Sequence, residues 1–204
     1  MRVLVTREEL VARVEALGHD AVLCELIRVE PLGDERVDAR AYDWLVVTSR
    51  NGAHELARRG VRANRIAAIG PATAEALRAH GLQVDLVAAT HTQEGLRDEL
   101  PEGTVLLAAA EGARRDVLEA DFLPLYRTVE LRPEVPDSDI ALLMSGSAAR
   151  ALAATGATVP VVAIGPQTAA EARAAGLKVV AVAATHDLDG LVEALRSRSW
   201  SSPS

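Results

Sequence analysis

Residues 66–100, IAAIGPATAEALRAHGLQVDLVAATHTQEGLRDEL, align without a gap on residues 161–195, VVAIGPQTAAEARAAGLKVVAVAATHDLDGLVEAL, with 19 of 35 positions identical. Alanine bias supplies a few chance matches. It does not supply Ala-Ile-Gly-Pro, Gly-Leu and Val-Ala-Ala-Thr-His at one shared spacing. Upstream the likeness continues more weakly, Asp43–Ser49 matching Asp139–Ser145 and Val3–Thr6 matching Val105–Ala108. A unit of roughly a hundred residues is therefore present twice, and whatever one copy builds the other must repeat.

Each copy alternates short apolar runs with amphipathic segments. The pattern predicts strands at 2–5, 21–27, 44–47, 66–69, 84–87, 105–108, 140–143, 161–164 and 179–182. It predicts helices at about 8–17, 51–59, 72–80, 93–100, 112–120, 147–154, 167–175 and 188–196. Apolar runs without period-two alternation suit strands buried on both faces of a parallel sheet under helices. The expected class is α/β, with two small doubly wound parallel-sheet domains. Right-handed crossovers then gather every strand-to-helix loop at one sheet edge, where a ligand belongs. The polar stretch Ser197–Ser204 reads as a frayed tail in which Trp200 caps a helix end at most.

Composition removes several partners. Hydrophobic residues are 49% and charged residues 25%, enough for a core and incompatible with wholesale disorder. Two Trp, two Tyr and one Phe are too few for a base-stacking surface. A net charge of −7 opposes nucleic acid and anionic membranes, while a local cluster of donors still suits a small anionic ligand. Cys24 is the only cysteine and lies in an apolar run, which reads as a buried small hydrophobe and excludes an internal disulfide. Charge arrives early at the N-terminus and no apolar stretch of 18 residues occurs, so no signal peptide or membrane span is expected and the reading is cytoplasmic.

The expected loops share one grammar: Thr6-Arg7, Thr48-Ser49-Arg50, Gly70-Pro71-Ala72-Thr73, Thr90-His91-Thr92, Ser145-Gly146-Ser147, Gly165-Pro166-Gln167-Thr168 and Thr185-His186. Glycine permits tight turns, proline suits the first helical position, and hydroxyls cap exposed N–H groups. One reading is capping alone. The other is a multi-point anion site of amides, hydroxyls and helix dipoles, with Arg7 and Arg50 adding charge. No GxGxxG, GxxxxGK[ST], HExxH or GxSxG motif occurs, which removes support for nucleotide, zinc-protease and serine-hydrolase chemistry. His91 and His186 are repeat equivalents, but neither has a second ligand at metal-binding spacing, so no metal site is expected.

These segments, in order, carry a family resemblance: VLVTR, DWLVVTSRNGAHEL, IAAIGPATAEALRAHG, GARRDVL, LPLYRTVE, ALLMSGSAARAL, VVAIGPQTAAEARAAGLKV and THDLDGLVEAL. The chain resembles the uroporphyrinogen-III synthases over about residues 2–196. The succession TS, GP-T, LYRT, S-S and GP-T is specific, although no single motif is. The resemblance implies a cofactor-free, metal-free enzyme that cyclises hydroxymethylbilane, which bears eight carboxylates, to uroporphyrinogen III. Water leaves and ring D is inverted through a spiro intermediate. One departure stands out: the family's arginine after the strand at 105–108 is replaced here by Ala108-Ala109-Ala110, with Arg114 and Arg115 nearby.

The resemblance further implies one domain inserted in the other. Domain one is then residues 1–29 plus 131–204 and domain two residues 32–126, with linker strands near 27–31 and 127–131. The substrate contacts implied are Thr6, Arg7, Thr48, Ser49, Arg50, Gly70, Pro71, Thr73, Ser145, Ser147, Gly165, Pro166, Gln167 and Thr168. Tyr126, the tyrosine of the LYRT-like stretch, is the implied proton donor, the bland alternative being a packed aromatic with its hydroxyl satisfied. The expected state is a monomer. Two other classes stand beside this one: a non-catalytic two-domain binder of an anionic small molecule, and a receiver-like pair. The receiver needs a lysine near strand ends, and the only lysine is Lys178 beside a turn.

Overall fold

A computed structural model of the chain describes residues 1–197; of the expected tail only Ser197 is included, and Trp200 lies outside the described residues. The chain divides into two compact units, Met1–Arg28 with the segment from Val129 onward, and Val29–Thr128.

In the first unit the strands are β1 (Arg2–Val5), β2 (Asp20–Leu23), β9 (Ile140–Leu143), β10 (Val161–Ala163) and β11 (Val179–Val182). In the second they are β4 (Trp44–Val47), β5 (Ile66–Ala68), β6 (Leu86–Val87), β7 (Val105–Ala110) and β8 (Asp121–Glu130), with β3 (Ile27–Pro31) added at the edge. The spatial orders are β11-β10-β9-β1-β2 and β3-β8-β7-β4-β5-β6. The ladders within each five-strand set are parallel. Along the chain the first sheet therefore reads 2-1-3-4-5, a common doubly wound order. Equating β7 with β1 and β4 with β9, as the sequence repeat requires, gives the second sheet the same spatial order. Its chain order is circularly permuted.

At the edge, Leu32 donates its N–H to the Leu125 carbonyl at 2.9 Å and Leu131 donates to Leu26 at 2.8 Å, so β3 and β8 run antiparallel. The guanidinium of Arg127 on β8 pairs with Glu30 on β3 at 2.8 Å.

The apolar runs form these strands because both faces are covered. Val3 and Val5 pack with Leu10, Val14 and Leu191, whereas Leu4 packs on the other face with Leu26, Leu152 and Ala172. In the second unit Leu45 and Val47 pack with Leu56, Leu77 and Leu125, and Trp44 and Val46 with Leu96 and Leu107. The covering helices are α1 (Val11–Glu15), α2 (Arg50–Arg58), α3 (Pro71–Ala79), α4 (Gln93–Glu99), α5 (Gly146–Ala154), α6 (Pro166–Ala174) and α7 (Leu188–Arg196). Cys24 is buried, and that burial pushes its thiol pKa up.

Three expectations change. The helix at 8–17 is a 3-10 turn, Glu8–Leu10, followed by the five residues of α1; Arg7 supplies no side-chain cap, and the end closes in tight turns as Leu17 donates to the Val14 carbonyl at 3.1 Å and Gly18 to that of Glu15 at 2.8 Å. The strand at 21–27 is two strands, β2 and β3, either side of a break. The helix at 112–120 is absent. Those residues return the chain to Asp121 beside Leu106 as an irregular loop that buries Val117 and Leu118. Arg114 is held there by Glu94 at 2.8 Å and Arg115 lies 3.8 Å over the Phe122 ring, so tertiary contacts override helical periodicity.

Candidate functional site

In a doubly wound sheet the ligand crevice opens where strand order reverses, at the carboxyl ends of the strands. In the first unit that point lies between β1 and β9, which are followed by Thr6-Arg7 and by Ser145-Gly146-Ser147. In the second it lies between β7 and β4, and β4 leads into Thr48-Ser49-Arg50. Each unit thus brings its own set of expected residues to one edge.

The helix starts at these edges are of two kinds. Ser49 caps α2, its Oγ accepting the Gly52 N–H at 3.0 Å, and Ser145 caps α5, its Oγ accepting from Ala148 at 3.2 Å. Thr92 and Asp187 cap α4 and α7 through Gly95 and Gly190 in the same way. The Gly190 N–H is the main reason that the Asp187 carboxyl sits below its usual pKa. By contrast, α3 and α6 begin at extended Gly70 and Gly165, carry proline at the first position and have no side-chain cap. Capping therefore accounts for Ser49, Ser145, Thr92 and Asp187. It leaves the Gly-Pro starts with uncapped first-turn amides beside Thr73 and Thr168, which are 5% and 6% exposed. Thr6 is likewise buried, whereas Pro71, Pro166 and Gln167 are exposed.

Tyr126 reaches this edge through a break in the ladder. Ala109 pairs with Pro124 and Ala110 with Tyr126, so Leu125 is an extra residue in β8. Adjacent strand residues ordinarily face opposite ways, yet Leu125 and Tyr126 both enter the layer of Leu45, Val47 and Ala53. The Tyr126 ring is 6% exposed, and its hydroxyl lies 2.8 Å from the Ser49 Oγ. The counterpart contact in the first unit is Ser145 Oγ to Ser147 Oγ at 3.0 Å. The duplicated framework is therefore chemically unequal at this point: one capping serine meets a phenol and the other a second serine.

Arg7 and Arg50 make no ion pair or side-chain hydrogen bond with a described residue, whereas Arg114 is engaged by Glu94 and Asp116. Arg115 stacks over Phe122 and donates to the Glu111 carbonyl at 3.2 Å.

Two residues that sequence reasoning set aside also border the edge. The His91 ring lies 3.1 Å from where a Cβ on Gly70 would stand, and the His186 ring equally close to that of Gly165. Each histidine covers the Gly-Pro start of its own unit. The signal was the pairing of GP with TH in both repeats. Among the described residues no group of three or more His, Cys, Asp and Glu is arranged to hold a metal ion.

The fold and these edges define a class: duplicated doubly wound α/β proteins whose strand ends present amides, hydroxyls and one phenol. Within that class the chain belongs to the uroporphyrinogen-III synthase family, since the family model described as uroporphyrinogen-III synthase HemD matches residues 8–193. A relative from Archaeoglobus fulgidus, provisionally named uroporphyrinogen-III synthase, is 29% identical, covering 97% of this chain and 99% of its own. A mutant uroporphyrinogen III synthase from the extremely thermophilic bacterium Thermus thermophilus superposes with a TM-score of 0.66 at 18% identity, covering 96% of this chain and 97% of that one. The wild-type Thermus enzyme in another crystal form gives 0.51 at 21% identity, with 96% of each chain covered. These two likenesses establish the shared α/β fold. Family membership makes the chain a uroporphyrinogen-III synthase of haem biosynthesis, and the binding-protein alternative is not favoured. No helix among the described residues is long and apolar enough to cross a membrane.

Proposed function

We propose that the chain acts as a cofactor-independent hydro-lyase, a cytoplasmic monomer that cyclises hydroxymethylbilane to uroporphyrinogen III with loss of water and inversion of ring D. The observation that carries the reading is the 2.8 Å contact between Tyr126 and Ser49 at the start of α2. Ser49 Oγ already accepts the Gly52 N–H and keeps its own proton to donate. When Ser49 donates to the phenol oxygen, the phenol proton is released to point at a ligand. Tyr126 then gives that proton to the departing hydroxyl of ring A. The carbon–oxygen bond breaks and water leaves. The substituted ring D carbon attacks the resulting ring A azafulvenium to give the spiro intermediate. The bond from that carbon to the ring C methylene then breaks, which leaves an azafulvenium on ring C. The free α-carbon of ring D closes onto it, and the proton that this carbon sheds restores the phenol. The transient phenolate is held by the Ser49 hydroxyl and the positive end of α2.

Carboxylates suit the uncapped amides and the hydroxyls at the strand edge of each unit. Holding a flexible tetrapyrrole in one reactive fold supplies much of the rate, about 7–11 kcal/mol in well-oriented intramolecular reactions. The test is incubation with enzymatically generated hydroxymethylbilane, followed by isomer analysis of the oxidised porphyrin. Isomer III is expected; isomer I alone, as in the spontaneous reaction, overturns the proposal.

The Gly-Pro starts have their own test. Thr73→Val and Thr168→Val each remove one hydroxyl hydrogen bond to a substrate carboxylate, worth about 1.5–3 kcal/mol, so each raises KM roughly tenfold or more. The double variant raises KM clearly more than either. An unchanged KM in the double variant removes these loops from substrate binding.

A further inference from the structure

Away from the hydroxyl-bearing edge, two imidazoles meet between α2 and α3. His54 lies within α2 and His80 is the C-cap of α3. Nδ1 of His54 and Nε2 of His80 are 2.7 Å apart, and the rings stand edge to face with centroids 5.0 Å apart and planes at 86°. Two ring nitrogens approach this closely only when one carries a proton and the other presents a lone pair, so at least one ring is neutral. Both side chains are exposed, so a solvated ion reaches them.

The pair is close to a chelate. Two metal–nitrogen bonds of ~2.0 Å at a right angle place the nitrogens about 2.8 Å apart, and a tetrahedral angle places them about 3.3 Å apart. Moving the shared proton to the outer nitrogen of its ring or to water, and turning both rings so that their lone pairs converge on the ion rather than on each other, convert the hydrogen bond into the right-angled arrangement. The wider tetrahedral separation needs more movement. Imidazole is a favoured ligand for copper, nickel and zinc, and the affinity order places Cu2+ first. The repeat supplies an internal comparison. In the first unit the aligned positions are Arg150 and Ala175, and α5 is tied to α6 instead by the Arg150–Glu171 ion pair. The polar clasp between the helices is thus kept in both copies, but only the second is built from metal ligands.

We infer that His54 and His80 form a bidentate surface site for a borderline divalent transition metal, Cu2+ ahead of Zn2+, with water completing the coordination. Binding joins α2 to α3 and stabilises the second unit. It is separate from the proposed chemistry, which uses no metal.

The test is calorimetric titration of the metal-stripped full chain with CuCl2 and ZnCl2, beside His80→Ala and the His54→Gln/His80→Gln double variant. The remaining histidines, His19, His91 and His186, set the background. The expected result is one Cu2+ site whose affinity falls at least tenfold in His80→Ala, with two nitrogens resolved by electron paramagnetic resonance. At a metal concentration about a hundred times Kd, the wild type melts roughly 5 °C higher, and the double variant does not respond. The substituted positions are exposed, so metal-free melting of both variants should match the wild type and verifies that they are folded. Binding of equal strength in the double variant, or Cu2+ binding weaker than about 1 mM in the wild type, overturns the inference.

Discussion

Tyr126→Phe lowers kcat by roughly one to two orders of magnitude while the product remains isomer III. The substitution keeps the ring in the layer of Leu45, Val47 and Ala53 and removes only the hydroxyl. Ser49 retains the Gly52 N–H, so the cap on α2 survives and the stability loss is limited to about 1 kcal/mol. Turnover is not abolished, because the ring A hydroxyl also leaves unaided, and isomer choice follows from how the substrate is folded rather than from who donates the proton. Ser49→Ala probes the same contact from the other side. If Ser49 works through the phenol, its removal lowers kcat in the wild type and changes nothing further in the Phe background. Melting measured in parallel separates this from the lost cap, worth about 1 kcal/mol. A Phe variant with wild-type kcat leaves Tyr126 a packed aromatic and the enzyme working by orientation alone.

Gly95→Ala destabilises the second unit by about 3 kcal/mol or more, beyond the usual penalty for an added methyl group, because backbone rather than a side chain is in the way. A Cβ at Gly95 falls well inside contact of the Thr90 carbonyl oxygen and stands 2.9 Å from the Thr90 Cβ. Gly190 meets the Thr185 carbonyl identically, its Cβ lying 3.0 Å from the carbonyl carbon, so Gly190→Ala does the same to the first unit. Neither glycine has positive φ, so the cost is steric rather than conformational. Gly112 is the control: nothing lies within 4 Å of its Cβ position and its φ is not positive, so Gly112→Ala leaves the melting temperature unchanged or slightly raised. Urea or thermal unfolding decides the matter, and a Gly95→Ala variant that melts with the wild type contradicts the packing described.

These glycines also show what the sequence disclosed. The THxxxGL block recurs because α4 and α7 each begin against the preceding carbonyl, a local constraint that any copy must repeat. The strands that are buried on both faces were legible for the same reason: Leu45 and Val46 face opposite layers, yet both need apolar partners. The capping serines were legible as hydroxyls, but only geometry separated Ser49, bound to a phenol, from Ser145, bound to Ser147. The irregular loop at 111–120 was not legible, because Val117 and Leu118 keep helical spacing while serving a crossover. The upstream part of β8 was hidden by Pro124, which argues against a strand in sequence, and by the extra residue that sets Tyr126.

The permuted strand order has a consequence for synthesis. On the ribosome β1 and β2 emerge first, but their sheet lacks its remaining members until β9, β10 and β11 follow. The whole second unit, Val29–Thr128, is made in the interval and has its strands complete. At ordinary translation rates of about 5–20 residues per second, the interval between β2 and β11 lasts roughly 8–30 seconds. Until β9 follows, Val3, Leu4 and Val5, fully buried in the finished protein, have no sheet neighbour on that side. The nascent chain therefore carries a sticky, half-made edge past a finished domain. That window, rather than the stability of the mature enzyme, is where a trigger-type chaperone has most to protect.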